Sequence, residues 1–119
     1  VHQVIESRPH FPVTQKVWGV EELIVSTEHY AAKYLVIRAG YQSSLHYHKK
    51  KIETFTVLRG EVTLEYGDKV KHLSPGDQWH IQRGHLHRFK SITGATILEV
   101  STKHDDEDVF RQEPSGEMR

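Results

Sequence analysis

No cysteine occurs anywhere in the 119 residues. That absence removes disulfides, thiolate metal sites and cysteine nucleophiles together, so a metal would have to be held by histidine, carboxylate or amide groups. An excess of charge is also missing: lysine plus arginine and aspartate plus glutamate number 16 each. Nothing in that balance asks for nucleic acid or an anionic membrane, and neither is expected as a partner. No apolar run approaches membrane-spanning length and no secretory signal is visible, so a soluble cytoplasmic protein is expected. No stretch keeps a helical hydrophobic period over a helical length, and there is no internal repeat or low-complexity segment. The length suits one domain with one core.

What the sequence does contain is a series of short runs rich in β-branched and aromatic residues. They are EELIVS from Glu21, KYLVIRAG from Lys33, TFTVLRG from Thr54, EVTLEY from Glu61, KVKHL from Lys69, QWHI from Gln78, HRFKS from His87 and TILEVS from Thr96. Turn signals at Gly40, Gly60, Gly67, Pro75 with Gly76, Gly84 and Gly94 separate them. Val62, Leu64 and Tyr66 share one strand face while Glu61, Thr63 and Glu65 share the other, the pattern of a half-buried antiparallel strand. Residues 1–15 read as an extended arm with a short strand over Val1 to Ile5, residues 16–111 as the domain, and residues 112–119 as a tail. The acidic run Asp105 to Asp108 either caps a short final helix or forms a solvated loop. A domain this small cannot bury a sheet against helices it lacks. The sheet must close on itself or pack on a second one, giving an all-β sandwich or small barrel with room for a ligand cavity. The arm and the exposed sheet edges invite strand exchange, so a homodimer is expected.

Ten histidines are many for this length. His2, His10, His29, His72 and His104 read as ordinary surface residues. His46, His48, His80, His85 and His87 fall within 42 residues and call for a chemical account. On a strand, side chains at i and i+2 point the same way, so His46 and His48 would aim into one space with Cα atoms about 7 Å apart. Glu53 follows after a bend, and its carboxylate can return to the same point from the neighbouring strand. A lone carboxylate inside a barrel is costly, and a divalent cation would remove that cost. His87, two residues past His85 at the start of HRFKS, is the candidate for a fourth ligand.

The spacings carry a resemblance. Gly40, His46, His48, Glu53 and Gly60 form one block; Gly76, Gln82, Gly84, His87 and Ser91 form a second, with fifteen residues between them. These blocks resemble the two motifs of the cupin superfamily, with Gln82 where proline is usual and Ser91 where asparagine is usual. The resemblance implies a small double-stranded β-helix, or jelly roll. It also implies a divalent metal ion on His46, His48, Glu53 and His87.

More of the chain, from Lys16-Val17-Trp18-Gly19 to the closing LEVSTKHDDEDVFR, resembles the small cupin isomerase domain of mannose-6-phosphate isomerases. Position 46 is commonly glutamine there. That resemblance implies an aldose–ketose isomerase acting on a sugar or sugar phosphate, with zinc as first choice of metal. Nitrogen and oxygen donors also suit manganese, iron, cobalt or nickel. The nucleotidyltransferase half of the bifunctional relatives is not in this sequence, so nucleotide transfer is not expected. By the same resemblance Arg111 is a candidate for contacting substrate or phosphate; the alternative is a surface salt bridge with Asp106 or Asp108. If QWHI is a strand, His80 shares a face with Gln78 and is either a base facing the cavity or a surface or core histidine. Lys50 shares parity with His46 and His48 if the strand persists. The run Lys49 to Lys51 either attracts a phosphate or forms a solvated turn. His85 reads as a loop residue, and Glu99 could point either way. Two rival functions fit the same ligand set: a cupin dioxygenase using three histidines and one glutamate, and a non-catalytic sugar-binding module.

Overall fold

The computed structural model describes residues 11–118, so the strand expected over Val1 to Ile5 lies outside the described residues. Thirteen strands follow one another: β1 (Val13–Lys16), β2 (Gly19–Ser26), β3 (Tyr30–Ile37), β4 (Tyr41–Gln42), β5 (Leu45–Tyr47), β6 (Glu53–Gly60), β7 (Val62–Tyr66), β8 (Lys69–Leu73), β9 (Gln78–Ile81), β10 (His87–Ser91), β11 (Ala95–Thr102), β12 (Phe110–Glu113) and β13 (Gly116–Glu117). Among the described residues there is no helix, and none is long and apolar enough to cross a membrane. The acidic run Asp105 to Asp108 therefore begins no helix; it forms a turn.

Every pairing is antiparallel, and the strands make two sheets. One runs β1-β2-β3-β11-β6-β9. The other is centred on β10, with β7 and then β8 along one edge, β4 and β5 along the other, and β13 and β12 outside those. From β5 onward the chain passes repeatedly between sheets: β6 in the first, β7 and β8 in the second, β9 in the first, β10 in the second, β11 in the first. Strands wound alternately into two facing sheets make the jelly roll expected from the sequence.

Alternation decides which side chains fill the space between the sheets. Along β3, Ala31, Lys33, Leu35 and Ile37 are buried while Ala32, Tyr34 and Val36 are half-buried. Along β11 the inward set is Ala95, Ile97 and Glu99. Val57, Leu64 and Ile97 are fully buried, each worth about 1.5–3 kcal/mol of transfer free energy. Trp18 meets Phe89 edge to face with ring centroids 4.8 Å apart, and Phe55 meets Phe89 at 6.0 Å. This apolar cluster fills one part of the interior; the polar inward residues Lys33 and Glu99 belong to another. Gly60 shows how tightly the strand ends meet: with φ of 78°, a Cβ there would stand 2.2 Å from the Gly94 carbonyl oxygen.

Described residues of the expected arm and tail pair into the sheets. Val13–Lys16 pairs with β2 at the edge of the first sheet. β12 and β13 add to the second sheet beside β5 and β4, so residues on both sides of position 112 are built into it.

Candidate metal centre

The potential ligands lie at strand ends, where the chain crosses between sheets. His46 is in β5, His48 follows that strand directly, Glu53 opens β6 and His87 opens β10. His46 and His87 are cross-strand partners, and their ring centroids are 4.5 Å apart; His46 to His48 is 5.1 Å and His48 to His87 is 5.4 Å. One ring nitrogen from each of the three lies within 4.8 Å of the others. Glu53 Oε2 stands 3.2 Å from His48 Nε2 and 3.1 Å from His87 Nε2.

The other ring nitrogens settle the chemistry. His46 Nδ1 is 2.9 Å from the Ser44 carbonyl, His48 Nδ1 is 2.7 Å from the Asp108 carbonyl, and His87 Nδ1 is 2.9 Å from the His85 carbonyl. A carbonyl only accepts, so in each ring Nδ1 carries the proton. That turns each Nε2 toward the cluster, the orientation in which metal-ligating histidines are prepared. Glu53 Oε2 and His87 Nε2 are buried without a hydrogen bond, although they are in close contact. Lone pairs facing each other in a dry interior repel unless a cation lies between them. Three neutral imidazoles and a carboxylate with no sulfur fit a divalent ion.

Electrostatics point the same way. Burial first, and then the neighbouring His87, push the His46 ring down to about 3, so it is neutral at ordinary pH. Burial alone would raise the Glu53 carboxyl; protons on the facing His48 and His87 nitrogens, the place a cation would take, together with the Lys51 ammonium, hold it well below the usual carboxylate range.

A cavity of about 720 Å³ opens onto this cluster, and His46, His48, Glu53, Lys51, Glu99 and Lys33 are among the residues lining it. Lys51 Nζ is 3.5 Å from Glu53 Oε1 and 3.7 Å from Glu99 Oε2. Burial disfavours the Lys51 charge, but Glu99 and Glu53 outweigh it and raise the ammonium above its ordinary value. Glu99 is pushed up to about 7, by burial and then by the charge of Glu53. Further along the wall, Lys33 Nζ is 3.3 Å from Glu21 Oε1.

The candidates for catalysis separate. Arg111 is exposed, pairs across strands with His46 and stands at the cavity rim; neither Asp106 nor Asp108 is its ion-pair partner, since Asp106 meets His104 and Asp108 meets main-chain amides. His80 does not face the cavity. It pairs with Thr54, one residue out of phase with the inward Glu53–Ile81 pair, is exposed, and has Thr54 Oγ1 2.8 Å from its Nδ1. The apolar Trp79 and Ile81 take the inward positions instead. Lys50 is exposed as well, because β5 stops at Tyr47 and strand parity stops with it.

Lys51, read in the sequence only as part of a solvated or phosphate-attracting run, is the lysine that turns inward. Asp108 explains why. Its carboxylate accepts from the main-chain N–H groups of Lys49, Lys50 and Lys51 at 2.8 to 3.3 Å. Those bonds overcome the effect of burial and keep the Asp108 carboxyl below its usual value. One residue thus orients His48 through its carbonyl and shapes the turn that delivers Lys51. Lys33 was also missed, although its place in the buried phase of β3, between Ala31 and Leu35, signals an inward lysine.

The family model described as "Cupin domain" matches residues 33–101. A curated relative, "Oxidoreductase OpS7" of Beauveria bassiana (strain ARSEF 2860), is 37% identical over 75 residues, which are 61% of this chain and 22% of the relative. "Mannose-1-phosphate guanylyltransferase 2" of Escherichia coli O157:H7 is 27% identical over 99 residues, 80% of this chain and 20% of that protein. The chain thus spans about a fifth of the length of both. Among solved structures, oxalate decarboxylase from Bacillus subtilis superposes with a TM-score of 0.76 at 19% identity, over 85% of this chain and 30% of that one. KdgF from Halomonas sp. superposes at 0.74 with 15% identity, over 81% of this chain and 91% of that one. At such identities these structures speak for the fold alone.

Proposed function

The chain belongs to the cupin family, and from that premise we propose that it is a metal-dependent aldose–ketose isomerase acting on a sugar or sugar phosphate. One observation carries the reading: Lys51 and Glu99 stand side by side in the cavity that three Nε2-free histidines also line or adjoin. His46, His48, Glu53 and His87 are the residues that would hold the ion. Bound there, a divalent ion would polarise a carbonyl or adjacent hydroxyl oxygen and acidify the C–H between them. Glu99 takes the proton from C2 and returns it to C1, so one C–H bond breaks and another forms. The hydroxyl proton of O2 passes to O1, and Lys51 donates hydrogen bonds to these oxygens as charge develops on them. Atoms and electrons balance within the substrate, and no oxidant is consumed.

The test is elemental analysis of the purified protein followed by C2 proton exchange of sugars and sugar phosphates in deuterated water. Metal at about one ion per chain together with exchange supports the isomerase; sugar binding without exchange would leave a binding module. The relative named as an oxidoreductase favours a second reading, oxidation of a small organic substrate by oxygen at the same residues. Oxygen uptake by the iron-loaded protein, without C2 exchange, would put that reading first.

A further inference from the structure

We propose that the substrate is uncharged: a free polyhydroxy aldehyde or ketone, and not its phosphate ester. This rests on the isomerase reading and narrows it. Among the described residues, the cations lining the cavity are nearly all engaged by carboxylates. Lys33 and Lys16 both meet Glu21, at 3.3 and 3.8 Å. Lys51 lies between Glu53 and Glu99. His104 Nε2 is 2.6 Å from Asp106, and burial lowers the ring below its ordinary value, so it adds no cation at neutral pH. Arg111 is the lining cation with no ion pair among the described residues, and it is exposed at the rim.

A phosphate is held by several donors at once, whether a run of main-chain N–H groups or a cluster of cations. This protein has a run of three such amides close by, at Lys49, Lys50 and Lys51, but the Asp108 carboxylate already occupies it. A single solvent-exposed guanidinium is a weak substitute. A terminal phosphate lies away from the reacting C1 and C2, so along the wall it would meet the Glu21 carboxylate, while Glu53 would be taken up by the ion.

Sugar hydroxyls ask for something else. Each is both donor and acceptor, and a wall of alternating carboxylates and ammonium groups offers both roles without a net charge to neutralise. Lys33 and Glu21 along the wall, with Lys51 and Glu99 at the reacting end, supply that alternation.

The experiment compares free aldopentoses and aldohexoses with their terminal phosphates. C2 proton exchange by the metal-loaded protein in deuterated water is the first readout. The second is binding of non-reacting alditols and alditol phosphates, followed by tryptophan fluorescence, since Trp18 lines the cavity. Exchange is expected to be at least about 100-fold more efficient for a free sugar than for its phosphate, and the free alditol is expected to bind more tightly. Faster exchange of the phosphate overturns the proposal while the isomerase reading stands. If nothing exchanges, the isomerase reading fails; the binding comparison still decides the charge, and tighter binding of the alditol phosphate overturns the proposal.

Discussion

His87 and His80 stand seven positions apart, each on a strand beside the same pair of sheets, and they have opposite fates. His87 is fully buried, and a main-chain carbonyl fixes its Nδ1 proton, so its Nε2 lone pair points at two other imidazoles and a carboxylate. His80 is exposed, and its Nδ1 meets the Thr54 hydroxyl, which can donate or accept and so fixes no tautomer. Being a histidine near the site does not make a ligand. A ligand needs a committed acceptor on its far nitrogen and an inward strand phase. His46 passes both, His48 keeps the inward side one residue past the end of β5, and His80 fails both.

The comparison breaks most completely at the carboxylate. Glu53→Gln keeps the shape but replaces the one anionic member of the proposed ligand set by a neutral amide. Metal content measured by elemental analysis should fall more than about tenfold, since even partners behind the ligands commonly matter by 10- to 100-fold. Unchanged metal content would remove Glu53 from the ligand set.

Asp108 sharpens the same contrast from behind the ligands. Asp108→Ala removes the acceptor of three main-chain N–H groups and loosens the segment whose carbonyl orients His48. Expected losses are about 1–3 kcal/mol in urea denaturation and about tenfold in metal affinity. Asp108→Asn keeps one acceptor oxygen and should lose less in both. Equal behaviour of the two variants would mean that the carboxylate does not shape the turn.

How far these roles were legible depends on whether the deciding contact was local. His46 and His48 follow from strand parity, and Glu53 from a return after a bend. The cupin-like spacing added His87, and the alternation of β-branched residues gave the all-β fold. His80 competes for the inward phase with Trp79 and Ile81, which are apolar, out of phase with it and have the stronger claim on the core. Lys51 was not legible, because the residue that bends its turn is Asp108, 57 positions later. Glu99 reads either way by itself, yet Ala95 and Ile97 set its phase: i and i+2 neighbours in the core carry a charged residue inward with them.

In the metal-free protein the buried groups should also reveal themselves by pH. His46 titrates at about 3 when folded against 6.5 when unfolded. The unfolded chain therefore binds more protons between those values, and stability rises with pH across that window. Glu99 titrates at about 7 against 4.5; there the folded chain binds more protons, and stability falls as pH rises from 4.5 to 7. The two trends oppose each other between pH 4.5 and 6.5. Glu99→Gln removes the falling component, so its stability in chelator, measured by urea denaturation, should climb more steeply from pH 5 to 6.5 than that of the parent. A parallel pair of curves would show that Glu99 does not hold its proton in the fold.

The smallest effect is expected on the outer face. His80→Ala removes an exposed ring and one contact to the Thr54 hydroxyl, which water can replace. Stability should shift by no more than about 0.5 kcal/mol, and metal content and C2 exchange should stay at the parent level. Because β6 and β9 pair in register, His80 and Thr54 lie on the face opposite Glu53 and Ile81, and reaching the cluster would require β9 to slip by one residue. Such a slip would drive Trp79 and Ile81 into water. A clear loss of exchange in His80→Ala with normal metal content would mean that this register is not the working one.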